Sequence, residues 1–159
     1  MSRPADRQFA AKRRQARHYA VQALYQWLLA DSPPADIEAE FREEYDFNKV
    51  DGEYFHILVH QVPARLPAIE SIYTPFMVAR AVQELGPVER ALLAIGTFEL
   101  QERTEIPYKV VISEAVLLAK KFGAQDSHKF INGVLDPVAR SVRQGEIKLT
   151  GAAGARSCP

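Results

Sequence analysis

The chain of 159 residues predicts an all-α fold on three observations. Apolar residues recur at three- and four-residue steps over most of its length, Pro and Gly punctuate the ends of those stretches, and no alternating segment bounded by hairpin turns occurs. The first predicted helix runs from about Arg13 to Ala30, with Ala16, Ala20, Leu24 and Trp27/Leu28 on one face, and the Ser-Pro-Pro at 32–34 stops it. Ile37, Phe41 and Tyr45 mark a second, short and acidic helix. Asp51 is a candidate cap for a third, carrying Tyr54, Phe55, Leu58, Val59 and Val62, and Pro63 and Pro67 interrupt its continuation through Ile69, Ile72, Tyr73 and Phe76.

Pro87 suits the first turn of a fourth major helix, where Val88, Leu92, Ile95 and Leu100 form the stripe. The fifth starts after Pro107, turns Val111, Ala115, Leu118 and Phe122 inward, and ends on Lys120 and Lys121. These lysines complement the negative end of the helix dipole, and Gly123 is free to take the left-handed conformation that closes the helix. Asp126 and Ser127 read as the cap of a sixth, with Phe130, Ile131, Val134, Leu135, Val138 and Val142 inside. Pro137 falls within it, four residues after Gly133, whose missing side chain eases the crowding and permits close helix approach. Residues 1–12 read as a mobile basic arm, 13–146 as a single domain and 147–159 as a flexible tail.

No apolar run reaches the roughly 18–20 residues a membrane helix needs. A basic, polar start without an apolar segment behind it argues against a secretory signal, and a lone Cys158 forms no internal disulfide, so a reducing cytoplasm is expected. Twenty basic residues balance twenty acidic ones, but unevenly along the chain. In residues 1–18 six cations face only Asp6, a net +5, whereas in 31–54 nine carboxylates face Arg42 and Lys49, a net −7.

Motifs for catalysis are missing: there is no phosphate-cradling glycine loop, dinucleotide fingerprint or nucleophile elbow. Asp126, Ser127 and His128 are triad residue types, but neighbours on one helical turn do not line up as nucleophile, base and orienter. His56 and His60 lie one helical turn apart, as two metal ligands would, yet the sequence offers no evident third ligand, so no metal or cofactor is expected. The basic arm carries more. Guanidinium groups attract phosphate and flat rings stack on unpaired bases, so Lys12, Arg13, Arg14 and Arg17 followed on the helix by Tyr25 suit single-stranded RNA better than a duplex. An equally weighted alternative makes Tyr25 a core ring with its hydroxyl at the rim.

The segments at 16–27, 85–107 and 108–136 together resemble the NusB family of bacterial transcription antitermination factors. The resemblance implies two packed helical subdomains, here about 13–83 and 84–146. It also implies a non-catalytic protein that binds the boxA element of ribosomal RNA leader transcripts together with NusE, a small-subunit ribosomal protein, in complexes with RNA polymerase and other Nus factors. Carried over residue by residue, the RNA surface comprises Arg13, Arg14, Arg17 and Tyr25, joined by Lys121, Phe122, Asp126, Ser127, Lys129 and Phe130. Lysines beside the free N–H groups of a helix start make the corner at Gly123 a natural phosphate site, and Asp126 either reads a base amino group or moderates affinity. The NusE surface falls on Glu84, Glu89, Phe98, Glu99 and Glu102, where acidic positions suit a basic ribosomal protein. Gln15 interrupts the family's arginine run, Ser113 replaces a common asparagine, and Phe98 replaces a frequent tyrosine whose hydroxyl could bond across the interface. Self-association through the apolar partner face is a further expectation. Two other readings stay open: the RNA-binding accessory domain of a ribosomal RNA cytosine methyltransferase, and a helical scaffold for proteins alone.

Overall fold

The computed structural model describes residues 3–148 apart from Ala79 and Ala81, so the expected tail lies outside the described residues from 149 onward. The α-helices are α1 (Pro4–Ala30), α2 (Pro34–Glu44), α3 (Gly52–Ala64), α4 (Leu66–Tyr73), α5 (Pro87–Glu102), α6 (Tyr108–Phe122) and α7 (Ser127–Val142), and residues 144–148, the last described, are helical as well. No strand is present among the described residues, in agreement with the all-α expectation.

Helix α1 begins nine residues earlier than the apolar periodicity predicts, so residues 4–12 are helical and do not form a loose arm. Pro4 occupies the first turn, where its missing N–H costs nothing, and Asp6 accepts the Arg3 N–H at 3.4 Å. Ala, Gln, Lys and Arg are strong helix formers, but they carry no apolar stripe here because this segment is mostly exposed. The helix ends at Asp31, which takes the left-handed conformation (φ 54°) and donates its N–H to the Trp27 carbonyl at 2.8 Å.

Every residue from Ala91 to Leu100 is buried, the pattern of a helix enclosed on all sides. Its neighbours are α1, α3, α4, α6 and α7. Helices α6 and α7 pack on α5 and on each other, whereas α1, α2 and α3 pack mutually around Tyr19, Phe41, Tyr45, Phe47 and Phe55. In α4, Pro67 sits in the first turn, so it starts a new helix after the break at Arg65.

Three glycine and cap expectations change. Gly123 is extended (φ −86°, ψ 170°), not left-handed. A Cβ there would lie 2.7 Å from the Ala119 carbonyl oxygen and 2.9 Å from Ser127 Cβ, so it is close approach of α6 to α7 that requires glycine. The left-handed residue at this corner is Asp126 (φ 68°), whose side chain makes no cap hydrogen bond; Ser127 is buried and its hydroxyl donates instead to Glu89 at 3.4 Å. Gly133 faces open space, and the tight helix contact falls at Gly96, where a Cβ would meet Leu135 Cδ1 at 2.7 Å.

Candidate nucleic-acid interface

The basic start of α1 divides between two faces, and most of it turns inward. Arg17 is only 3% exposed. Its Nε and Nη2 donate to the Glu99 carboxylate at 3.0 and 2.8 Å, and its Nη1 reaches Glu114 at 3.5 Å. The Tyr54 hydroxyl donates to the same Glu99. Burial by itself disfavours the Arg17 charge, but Glu99, joined by Tyr54 and Glu114, more than offsets it, and the guanidinium is held above its ordinary value. Burial first, then the Glu99 charge, push the Tyr54 hydroxyl well above the usual phenol range. Arg13 lies 3.8 Å above the Tyr54 ring and 3.3 Å from Asp51. Arg14 stays more than half exposed, with its Nε and Nη2 on Glu114 at 3.0 and 2.9 Å. A stretch that reads as a positive arm in one dimension is therefore largely neutralised in three, by carboxylates from α5 and α6 and by the start of α3. For Arg17 this argues against the expected RNA contact, because its desolvated guanidinium is held between two carboxylates, whereas Arg13 bonds Asp51 through Nε and lies over the Tyr54 ring.

One turn further along α1 the chemistry changes. His18 sits with its ring centroid 5.0 Å from Phe122, and the Lys121 Nζ lies 3.0 Å from His18 Nδ1. Burial, then Lys121, hold His18 below its ordinary value, so its ring nitrogen is available to accept from the ammonium. Tyr25, two turns on, is 41% exposed, which excludes the core-ring alternative. It lines a cleft of about 720 Å³ with Gln22, Val88, Phe122, Glu40 and Glu44. A second cleft, about 340 Å³, continues past Val88 and Phe122, the two residues both clefts share, to Gly123, Asp126 and Phe130. Arg80 lies 4.6 Å above the Phe130 ring at its far end. The middle of α1 and the α6–α7 corner thus meet along one groove that presents Tyr25, Phe122 and Phe130 in turn.

Charge beside the groove is asymmetric. Lys121, next to Phe122, forms no ion pair with a carboxylate among the described residues, whereas Lys129 is exposed and 3.4 Å from Asp126. Glu40 and Glu44 line the opposite wall, on α2. An anionic chain would be drawn toward the Lys121 side and repelled from α2. The Arg80 contact had no signal in the sequence, because that residue lies in an irregular segment far along the chain from Phe130.

The residues expected to face a protein partner separate in the same way. Phe98 is fully buried and Glu99 is 1% exposed, so neither presents a surface, and the absent hydroxyl at Phe98 has no interface to serve. Apolar periodicity missed this because α5 is enclosed all round and has no outward face at those positions. Glu84 and Glu102 are exposed, the latter 2.9 Å from Arg65. Glu89 is half-buried and held by Arg80 at 2.9 Å. Arg143, not anticipated, is 5% exposed and caps the C-terminal end of α5 by donating to the carbonyls of Glu99, Leu100, Arg103 and Ile106.

No described helix is long and apolar enough to cross a membrane. Residues 14–140 match the NusB family model. The chain is 54% identical to the transcription antitermination protein NusB of Teredinibacter turnerae, over 84% of this chain and 91% of that protein. It is 52% identical to the protein of the same name from Alcanivorax borkumensis, over 84% and 89%. A solved structure of T. maritima NusB superposes with a TM-score of 0.71 at 26% identity, covering 85% of this chain and 96% of that one. With the fold, the matched span and the degree of identity all in agreement, the chain belongs to the NusB family.

Proposed function

We propose that the protein is a non-catalytic antitermination factor that binds single-stranded boxA-type RNA along the groove between α1 and the α6–α7 corner. The observation that carries this reading is the row of rings Tyr25, Phe122 and Phe130, with Lys121 beside Phe122, Lys129 paired to the cleft-lining Asp126 and Arg80 over Phe130. Bases stack on such rings with little sequence demand, while cations on one rim neutralise the backbone. Lys121 and Lys129 take the phosphate role that the sequence assigned to the arginines, with Arg14 and Lys12 at the periphery. Asp126, already paired with Lys129, tempers the charge of that cation. The antitermination role is supported by the relatives, which are transcription antitermination proteins by name. In that role NusE docks on the acidic surface that includes the exposed Glu84 and Glu102, and the pair enters an RNA polymerase complex.

The test is fluorescence anisotropy of a boxA oligonucleotide titrated with protein, alone and with NusE, across a salt series. Tyr25→Ala and Phe122→Ala should each weaken binding by about 1–3 kcal/mol. Lys121→Ala should reduce the salt slope by about 0.7, the value for one phosphate on a single strand. NusE capture without any RNA binding at low salt would instead support a protein-only scaffold.

A further inference from the structure

Helix α2 brings Glu38 against His56 and His60 of α3, supplying the third ligand type that the sequence alone does not reveal. Glu38 Oε1 lies 2.7 Å from His56 Nδ1 and 2.8 Å from His60 Nε2. The candidate ligand atoms of the three side chains all lie within 4.8 Å of one another. A carboxylate oxygen only accepts, so both rings donate to it, His56 as the Nδ1–H tautomer and His60 as the Nε2–H tautomer. Two imidazoles converging on one carboxylate oxygen form a two-nitrogen, one-oxygen donor set. Arg42 holds the other oxygen, Oε2, at 2.8 Å and so fixes the carboxylate with Oε1 turned to the rings. The support beneath is rigid: Ile37 and Phe41 of α2 and Phe55 and Val59 of α3, which flank the three residues in sequence, are all buried.

We propose that Glu38, His56 and His60 bind a Zn²⁺ ion that clamps α2 to α3. Two imidazoles and a carboxylate are a known zinc donor set, and a fourth position is open to water because the His56 and His60 side chains are 55% and 31% exposed. Hard cations such as Mg²⁺ favour all-oxygen sites and copper(I) favours thiolate, so the donor set disfavours both and suits a borderline ion such as zinc. On binding, each ring moves its N–H proton to its other nitrogen through solvent, and the freed lone pair takes the metal. Neutral rings release no net proton. The alternative is a plain surface hydrogen-bond network with no affinity for metal. None of the three residues lines the groove assigned to RNA, so the two readings stand or fall separately.

The experiment titrates ZnCl₂ into the full chain carrying Cys158→Ser, which removes the one thiol, and follows heat together with the ring ¹⁵N signals of the histidines at about pH 7.5, where free imidazole is mostly neutral. One equivalent should bind, the protein should melt at a higher temperature, and the His56 and His60 signals should switch tautomer. Glu38→Gln, His56→Ala and His60→Ala should each weaken binding about tenfold or more, as expected for the loss of one of three ligands. No binding, affinity unchanged in the single variants, or binding that leaves the His56 and His60 signals unmoved would each overturn the site. Circular dichroism of the metal-free variants checks folding; should Glu38→Gln unfold, the two histidine variants decide alone.

Discussion

Replacing Arg17 by Ala tests whether the arginines at the start of α1 are structural. In the folded protein Arg17 is 3% exposed and donates three hydrogen bonds of 3.1 Å or less to the buried Glu99 carboxylate, one to Oε1 and two to Oε2. Its removal leaves Glu99 buried with, among the described residues, the Tyr54 hydroxyl as its side-chain donor, while Glu114 keeps Arg14. Breaking one side of a buried ion pair costs about 3–5 kcal/mol, because the remaining charge is uncompensated. At roughly 2–4 °C per kcal/mol for a chain of this size, the melting temperature should fall by about 6–20 °C. Urea denaturation followed by circular dichroism reads the loss directly. The double variant Arg17→Met/Glu99→Leu should recover much of it, since both charges leave together. An Arg17→Ala protein within about 0.5 kcal/mol of the parent, the range of an ordinary surface change, yet unable to bind RNA, would refute the structural assignment.

Arg143→Ala should cost about 2–4 kcal/mol in the same assay, since the carbonyls of Leu100 and Ile106 lose the guanidinium donor, while those of Glu99 and Arg103 keep the backbone N–H groups of Arg103 and Ile106; an unchanged midpoint would show the α5 end to be satisfied otherwise. Gly123→Ala should lose about 1–3 kcal/mol, because its methyl group would press on the Ala119 carbonyl, which is backbone and does not swing aside; a neutral outcome would mean that the α6–α7 corner yields. Stability should fall as pH rises above about 10, where unfolded tyrosine gives up its proton and Tyr54, held well above that value by burial and Glu99, does not. Tyr54→Phe should flatten that alkaline slope in urea midpoints measured from about pH 8 to about pH 11, and an equal slope in both proteins would contradict it.

Helix positions and the enclosed character of the core were legible because burial imposes a period: Val111, Ala115 and Leu118 repeat as α6 requires, and all three are buried. The start of α1 was not, since an exposed helix of Ala, Arg and Gln has propensity but no apolar face. Half of the candidate site was legible for a similar reason. Tyr25 and Phe122 are large rings at the edges of well-marked helices, and both reach the groove. The arginines misled because charge in sequence carries no record of its partners: Glu99 and Glu114 lie 82 and 97 residues from Arg17. The same long-range pairing hid Glu38 from the two histidines, 18 and 22 residues away. Phe98 and Glu99 looked accessible because a helix buried on all sides has no polar face to announce which positions are inside.

The central claim is that RNA lies along the groove floored by Phe122 and leaves the inward-turned arginines untouched. Amide chemical-shift mapping of the isotopically labelled protein, titrated with a boxA single strand at low salt, tests this most directly. With RNA in the groove, shifts should cluster at residues 18–25 and 121–130 and near Arg80, with Arg13, Arg17 and the α3 residues around Tyr54 unmoved. Shifts concentrated on residues 9–17 and on α3, with Tyr25 and Phe122 silent, would contradict it.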